Sequence, residues 1–404
     1  MLLGLGVLIN FFDRVNLSVA HDALRATFDI DEVAFGYLAG AYNWTYALCQ
    51  LPVGALLDSF GVTLIGRIGS LLWGVATLAA SVSPTFGTLF ASRMLLGIGE
   101  APIFPANAKA IGLWFPPEQR GLPTAIFDAA AKFATAIGVP IIGILLLHVG
   151  WRLAFAATGL ASLVYFALFC WIYRDPPVGP SEVTGAAPLG VPARGTSVPF
   201  RYLLRQRKVY GLVIGYGAYN YVFYLLLTWL PTFLAVTLHI SLMHSFLYTG
   251  VPWLIATATD LAVGGWLVDW LLRRGHSPTM VRQGILIAGM LLGMGLLGAA
   301  QASTPGRALF WISVSIGGLA AAAPVSWSLP ALIAPAGAVG RVAGIMNLSS
   351  QVSAIAAPII TGYLFRRTHS FAIAFSVPIL YLLAGIAGYL LLLGRIEPIP
   401  DPNP

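Results

Sequence analysis

Charged residues are scarce in this sequence. Only 9% of its 404 residues are Asp, Glu, Lys or Arg, whereas 58% are apolar and a further 44 are glycine. Soluble domains carry about 25% charged and about 45–50% apolar residues, and a soluble chain of this length could not bury so much apolar surface. The composition therefore excludes soluble enzymes, disordered chains and nucleic-acid-binding modules, so we expect no nucleic-acid partner.

Cysteine and histidine are also rare. Cys49 and Cys170 both lie within apolar runs, which is typical of small packed residues and argues against a disulfide. His21, His148 and His369 lie near loops of the outer side, and none of these three has a second histidine or a cysteine at ligand spacing, so we expect no metal site and no cofactor. The N-terminus has neither a basic region nor a signal cleavage site, which favours a natural start upstream of Met1.

Long apolar runs account for most of the chain. A helix crosses a bilayer with about 20 apolar residues, so the apolar content suffices for about twelve spans. The runs are too long for membrane β-strands and do not alternate in polarity. They lie at residues 2–24, 33–57, 66–83, 87–114, 121–147, 152–173, 209–236, 246–270, 283–300, 308–334, 342–365 and 371–393. We predict an all-α polytopic membrane protein with twelve transmembrane helices.

The longest polar segment divides these spans six and six. Residues 174–208 are rich in Pro and Gly and end in the basic stretch RYLLRQRK, which is typical of a cytoplasmic linker with an interfacial segment. We expect helix bundles at 1–173 and 209–394 and a cytoplasmic tail at 395–404. The net charge of +7 belongs to the loops: thirteen basic residues fall on one side and five on the other, which places both termini in the cytoplasm.

A short motif recurs at the same corner of both halves. GALLD ends the second span and GWLVD ends the eighth, and arginines follow each. Glycine allows two helices to approach closely, and an acidic residue at a helix end can pair with a base across the halves. We predict a cytoplasmic gate of Asp58, Arg67, Asp269 and Arg273 that opens as the halves rock. The alternative is that these are ordinary charges at helix ends.

Five longer stretches carry a family pattern. They are FFDRVNLSVA, RMLLGIGEAPIFPANAKAIGLWFP, YNYVFYLLLTWLP, APVSWSLPALIAP and GIMNLSSQVSAIAAPIITG, in spans 1, 4, 7, 10 and 11. Together they resemble the anion:cation symporter family of the major facilitator superfamily. The resemblance covers nearly the whole chain. It implies two six-helix bundles related by pseudo-twofold symmetry around a central cavity, and proton-driven uptake of organic anions such as galactonate, hexuronate or glucarate.

The resemblance also implies roles for individual residues. In the family, an aspartate in span 1 and a glutamate in span 4 are associated with proton coupling, and these positions fall on Asp13 and Glu100. The span 1 arginine is associated with holding the substrate carboxylate and falls on Arg14. The span 4 arginine falls on Arg93, which we also expect near the substrate.

Further positions match the substrate pocket of the family's galactonate carrier. They are Tyr46, Trp327 and Asn347. Span 5 departs from that carrier, since this chain reads FDAAAKF where the carrier has a polar amide. Lys132 either pairs with Asp128 at i,i+4 spacing or faces the cavity as a second positive group that binds substrate. The second arrangement would suit a diacid or a sugar acid with several acceptors.

The ionisable residues within the spans support a coupled site without the family. They are Asp13, Arg14, Arg93, Glu100, Lys109, Asp128, Lys132 and Asp260. Each would cost about 2.5–3.5 kcal/mol facing lipid at mid-membrane, so most must pair or contact water. The two acids and two arginines of spans 1 and 4 form a neutral set. Protonation of either acid leaves it positive, which favours an anion, and a bound carboxylate competes with the acid for its arginine. A structural ion-pair network is the alternative.

We therefore expect a monomeric proton-coupled symporter in a bacterial-type inner membrane, with a small organic anion, a proton and the lipid bilayer as its partners. A sugar acid is the leading substrate, and an aromatic carboxylate or a dicarboxylate remains an alternative. An anion exchanger, a proton-independent facilitator and sodium coupling also stay open. A sensor or a membrane enzyme is disfavoured, because the only long loop holds no His and no paired acids.

Overall fold

The computed structural model describes residues 2–114, 121–175, 198–237, 240–335 and 338–401, and no strand occurs among them. The first part of the chain forms α1 (Leu2–Val19), α2 (His21–Phe28), α3 (Glu32–Ser81), α4 (Phe86–Glu100), α5 (Ile103–Trp114) and α6 (Gly121–Ile172). The second part forms α7 (Phe200–Leu203), α8 (Arg207–Thr237), α9 (Leu242–Thr259), α10 (Val268–Arg273), α11 (Pro278–Gly293), α12 (Leu296–Ala300), α13 (Pro305–Ile333), α14 (Val339–Thr368) and α15 (Phe371–Ala387). Two π-helical segments, Asp260–Leu267 and Gly388–Leu393, continue α9 and α15.

The two longest helices each contain two predicted spans. A straight helix of the 50 residues in α3 would be about 75 Å long, against a hydrocarbon core of about 30 Å. The chain turns inside α3 at Gly61 and inside α6 at Gly150, where φ is 79° and 80°. These left-handed values favour glycine. After the first turn, the carboxylate of Asp175 accepts a hydrogen bond of 3.0 Å from the backbone N–H of Thr63 and caps the new helical start.

Nine helices of the described residues are long and apolar enough to cross a membrane. One of them, the 45-residue stretch Asp128–Ile172, includes the turn at Gly150 and so holds two predicted spans. The fourth predicted span is divided at Pro102 into α4 and α5. Apart from short breaks at Ala20 and at residues 101–102 and 294–295, and apart from the ends of some runs, such as Ala334, the predicted apolar runs are helical wherever the structure describes them, which confirms the predicted all-α fold with twelve spans.

By its internal contacts the chain forms two compact units. The first consists of Met1–Thr184, Leu225–Gly250 and Pro358–His369, and the second of Gly185–Tyr224, Val251–Ala357 and Ser370–Pro404. The ends of α8 and α14 therefore belong to the first unit. The six-and-six domain boundaries stay a prediction, and residues 176–197 of the predicted linker lie outside the described residues.

Within the first unit, α1 lies against α6, and α3 lies against α4. A capping box of Thr85 and Thr88 begins α4. Farther along α4, a Cβ at Gly97 would overlap the carbonyl oxygen of Tyr42 and the hydroxyl of Thr45. The small residue therefore sets the distance between α4 and α3.

We expect Gly97→Ala to destabilise the protein by about 1–3 kcal/mol, because the added methyl group meets backbone that cannot rotate away. Thermal unfolding of the purified protein in detergent measures the effect. Gly87→Ala is the matched control on the same helix, since its nearest neighbour lies 4.0 Å away. Equal melting temperatures for the two variants would contradict the close approach at Gly97.

Candidate functional site

Four charged side chains of α1 and α4 are buried in the first unit. The exposed fractions are 1% for Asp13, 9% for Arg14, 5% for Arg93 and 0% for Glu100. A buried charge destabilises a protein unless it is paired or hydrogen-bonded. The contacts of these four groups therefore decide what the site can do.

Arg14 forms an ion pair with Glu100. Its Nε lies 3.1 Å from Oε2 of the glutamate. The guanidinium also lies over three aromatic rings, with its central carbon 4.6 Å from the ring centre of Phe11, 4.8 Å from Tyr42 and 5.5 Å from Tyr46. Each ring attracts the cation through its quadrupole. Tyr46, which was predicted to lie near substrate, thus lies next to the predicted carboxylate-binding arginine.

Asp13 is held differently. Its Oδ2 accepts a hydrogen bond of 2.8 Å from Oγ of Ser162, on the second half of α6. Arg93 donates from Nη1 to the backbone carbonyl of Asp13 at 3.2 Å, and not to its carboxylate. Among the described residues the Asp13 carboxylate has no ion-pair partner, and its Oδ1 accepts no hydrogen bond. The four predicted residues therefore come together, but with a single direct ion pair.

The spacing on α4 explains how one helix reaches two neighbours on α1. Arg93 and Glu100 are seven residues apart, so they lie on one face about 10 Å apart along the helix axis. Arg93 contacts the backbone of Asp13, and Glu100 contacts the side chain of Arg14. Gly97 lies between them and allows the helix to approach α3.

Uncharged polar side chains that were not predicted surround this cluster. Asn16 donates from Nδ2 to Oγ1 of Thr158 at 2.7 Å. The side-chain amide of Asn10 is buried next to the Glu100 carboxylate. Thr158 and Ser162 stand at i,i+4 in an apolar run. That spacing, matched by Asn10 and Asp13 at i,i+3, is the signal in the sequence that could have indicated them.

Lys132 adopts the first of its two predicted arrangements. Its ammonium nitrogen lies 3.1 Å from Oδ2 of Asp128, one turn earlier on α6. The lysine side chain is 5% exposed and that of the aspartate 26%. The pair explains how a lysine is buried in an apolar helix. A role for Lys132 in substrate binding stays a prediction.

Three other predicted or noted residues belong to the second unit. Trp327 is half exposed and meets the ring of Tyr216 edge-on at 5.5 Å between ring centres. Asn347 is half-buried on α14. Asp260 is buried and begins the π-helical segment after α9. Such segments are frequent at functional sites, but no role for Asp260 follows from its position alone.

The predicted gate residues contact helix ends in this structure. Arg67 donates to the carbonyl oxygen of Cys170 at 3.1 Å, and Arg273 donates to that of Asp269 at 3.3 Å. Cations stabilise the carbonyl groups at the C-terminal ends of helices. The carboxylate of Asp269 is exposed, and the side chain of Asp58 lies outside the described part of the chain. The gate therefore stays a prediction.

The first unit also contains an aromatic cluster that was not predicted. It consists of His21, Phe35 and Trp229 and is called the end cluster. The three ring centres lie 4.5, 5.3 and 5.5 Å apart. His21 bonds through Nδ1 to the carboxylate of Asp22 at 2.6 Å.

Two ion pairs surround the end cluster. Arg25 pairs with Glu32 at 2.9 Å, and Arg366 of α14 pairs with Asp31 at 2.8 Å. These contacts join α2 and the start of α3 to Trp229 on α8 and to Arg366 on α14, all inside the first unit. The contacts with α8 and α14 could not be predicted from the sequence, because the partners are distant along the chain.

The chain is similar to known transporters in both sequence and structure. A model described as the Major Facilitator Superfamily matches residues 3–358. The chain is 39% identical to the uncharacterized transporter YybO of Bacillus subtilis, covering 97% of this chain and 93% of that protein. It is 31% identical to the probable L-galactonate transporter of Escherichia coli, covering 100% and 90%. A crystal structure of a bacterial homolog to the human lysosomal transporter Spinster has a TM-score of 0.80 at 18% identity, covering 98% of this chain and 96% of that one.

We expect Trp229→Ala to destabilise the protein by about 3–5 kcal/mol, because it removes a fully buried indole from the end cluster. Trp171→Ala is the control, since that side chain is 78% exposed and its loss leaves no cavity. Melting temperatures in detergent measure both effects. A similar loss for both variants would contradict a packed cluster.

Proposed function

The chain belongs to the major facilitator superfamily and is a multi-pass membrane transporter, and we propose that it is a proton-coupled symporter of a small organic anion. This family membership confirms the resemblance predicted from the five motifs. The observation that carries the proposal is the buried ion pair of Arg14 and Glu100 beside the unpaired carboxylate of Asp13. It combines a group that binds anions with two groups that bind protons.

Arg14 supports a carboxylate substrate. A guanidinium presents several N–H donors in a plane that matches a carboxylate, so it can exchange one carboxylate partner for another. The rings of Tyr42 and Tyr46 beside it offer apolar surface and hydroxyl groups to the remainder of the substrate. The relative named as a probable L-galactonate transporter supports a sugar acid, either a hexonate or a hexuronate.

Competition for Arg14 supplies the coupling. When a substrate carboxylate takes the guanidinium donors, Glu100 loses its counter-charge, and an unpaired charge at this depth is costly. A proton that binds Glu100 removes that cost. Substrate binding and proton binding then favour each other by the same free energy, which is the requirement for symport.

The transport cycle follows from alternating access. With both termini in the cytoplasm of a bacterial-type inner membrane, the site opens outward, Asp13 and Glu100 take up protons, and the carboxylate binds Arg14. The halves then rock, and the gate of Asp58, Arg67, Asp269 and Arg273 opens the cytoplasmic side. In this orientation the end cluster lies at the outer face.

The proposal is tested with Glu100→Gln, which keeps the size of the side chain and its ability to accept a hydrogen bond but cannot bind a proton. In membrane vesicles with an imposed pH gradient, we expect the variant to lose accumulation of L-galactonate while it retains exchange of substrate across the membrane. Glu397→Gln is the matched control, because that carboxylate is exposed and pairs only at the surface with Lys208.

Undiminished accumulation by Glu100→Gln would contradict the coupling role. Accumulation by the unmodified protein that a protonophore leaves unchanged would instead favour an exchanger or a proton-independent facilitator. Accumulation of aromatic carboxylates or dicarboxylates, without that of sugar acids, would keep the symporter and replace the substrate.

A further inference from the structure

The hydroxyl group of Ser162 lies between two acceptors. Its Oγ is 2.8 Å from Oδ2 of Asp13 and 3.0 Å from the backbone carbonyl oxygen of Thr158, one turn earlier on α6. Both Ser162 and Asp13 are essentially inaccessible to solvent. A hydroxyl carries one hydrogen, so it can donate to only one of the two acceptors at a time. Which acceptor the hydroxyl donates to depends on whether Asp13 is ionised or protonated.

We propose that Ser162 is a positioning residue for proton coupling, whose hydroxyl rotates between the Asp13 carboxylate and the Thr158 carbonyl as Asp13 loses and gains its proton. This inference rests on the proposed function, since it assigns Asp13 a proton that comes and goes. When Asp13 is ionised, Ser162 donates to the carboxylate, and such charge-assisted hydrogen bonds are strong. When Asp13 is protonated, its O–H donates to Oγ of Ser162, and the hydroxyl hydrogen turns to the carbonyl.

The polar hydrogens of Ser162 and Asp13 have an acceptor both when Asp13 is ionised and when it is protonated. The proton arrives from water and forms an O–H bond on the Asp13 carboxylate, and no other covalent bond changes. Ser162 gives up one acceptor and gains a donor, while its own hydrogen moves to a carbonyl already within hydrogen-bond distance. Serine hydroxyls bond readily to the carbonyl four residues earlier in a helix. No backbone movement is needed, so a buried acid can titrate without leaving an unsatisfied group.

The charged side chains near Asp13 contact groups other than its carboxylate, so the hydrogen bond to that carboxylate comes from α6. On α1 the adjacent Arg14 pairs with Glu100 of α4, and Arg93 of α4 donates to the backbone carbonyl of Asp13. The second half of α6 brings no charge to the site, because its one charged side chain, Arg152, bonds to backbone carbonyl oxygens at the end of α3.

The other polar side chains near Asp13 also contact further groups. The hydroxyl of Thr158 donates to the carbonyl of Phe155 and accepts from Asn16, and on α3 the ring of Tyr42 lies over the two arginines. Thr158 also interacts with the Asp13 carboxylate from α6, and the hydroxyl of Ser162 lies within 2.8 Å of its Oδ2.

The first test needs no substrate. The melting temperatures of the purified protein, of Ser162→Ala and of Ser162→Thr are measured between about pH 5 and pH 9. Removing the donor disfavours ionised Asp13, so we expect the deficit of Ser162→Ala to grow as the pH rises and to shrink as the pH falls. Ser162→Thr restores the hydroxyl and should follow the unmodified protein.

Ser70→Ala is the matched control, because that buried hydroxyl donates only to carbonyl groups of its own helix and its deficit should not change with pH. A deficit of Ser162→Ala that is equally independent of pH would overturn the inference and leave Ser162 a packing role. If Ser162→Ala does not fold, Ser162→Cys replaces it. A thiol is a weak donor of similar size, so the same pH-dependent deficit is expected at smaller amplitude.

The second test is transport. The pH at which L-galactonate uptake is half-maximal should shift upward in Ser162→Ala by about one unit, which is the loss expected for one hydrogen bond to a charged group, and Ser162→Thr should reverse the shift. The stability deficit of Ser162→Ala can depend on pH while uptake by the unmodified protein does not. That result would contradict the proposed function but support the Ser162–Asp13 contact. An unshifted profile in Ser162→Ala, with pH-dependent uptake in the unmodified protein, would overturn only the role of Ser162 in coupling.

Discussion

The cost of burying charge in an apolar bundle governs the first unit. Asp13, Arg14, Arg93 and Glu100 are nearly inaccessible to solvent, and several kinds of contact offset that cost. One ion pair, one hydroxyl donor, one backbone carbonyl and a group of aromatic rings supply the contacts. The close approach of α4 to α3 at a glycine, and of α1 to α6, brings these contacts into reach.

An arrangement of this kind is suited to a transporter because it is stable in the absence of substrate but changes its energy strongly when a ligand binds. A surface ion pair contributes little, and a buried pair that loses one member destabilises the site strongly. A ligand that competes for Arg14 therefore changes the energy of Glu100 sharply. The same sensitivity that makes the pair difficult to build lets it couple the binding of an anion to the binding of a proton.

Much of this could be predicted from the sequence, and the remainder could not for physical reasons. The helices followed from the length of the apolar runs, and the charges of α1 and α4 stood out because charge is so rare within the spans. The contact of Ser162 with Asp13 joins residues 149 positions apart, and the end cluster joins α2 and α3 to α8, so no local sequence pattern could have predicted that these residues meet. Arg67 and Arg273 appeared in a conspicuous motif, yet both contact backbone carbonyl groups of helix ends.

Proton movement driven by substrate tests the central claim most directly. The purified protein is reconstituted into liposomes that contain a pH-sensitive dye, with no pH gradient and no membrane potential, and L-galactonate is added outside. Symport predicts acidification of the interior that Asp13→Asn and Glu100→Gln abolish, because each variant lacks one of the two acids that must take up a proton in the cycle. Entry of labelled L-galactonate without any acidification would contradict the account.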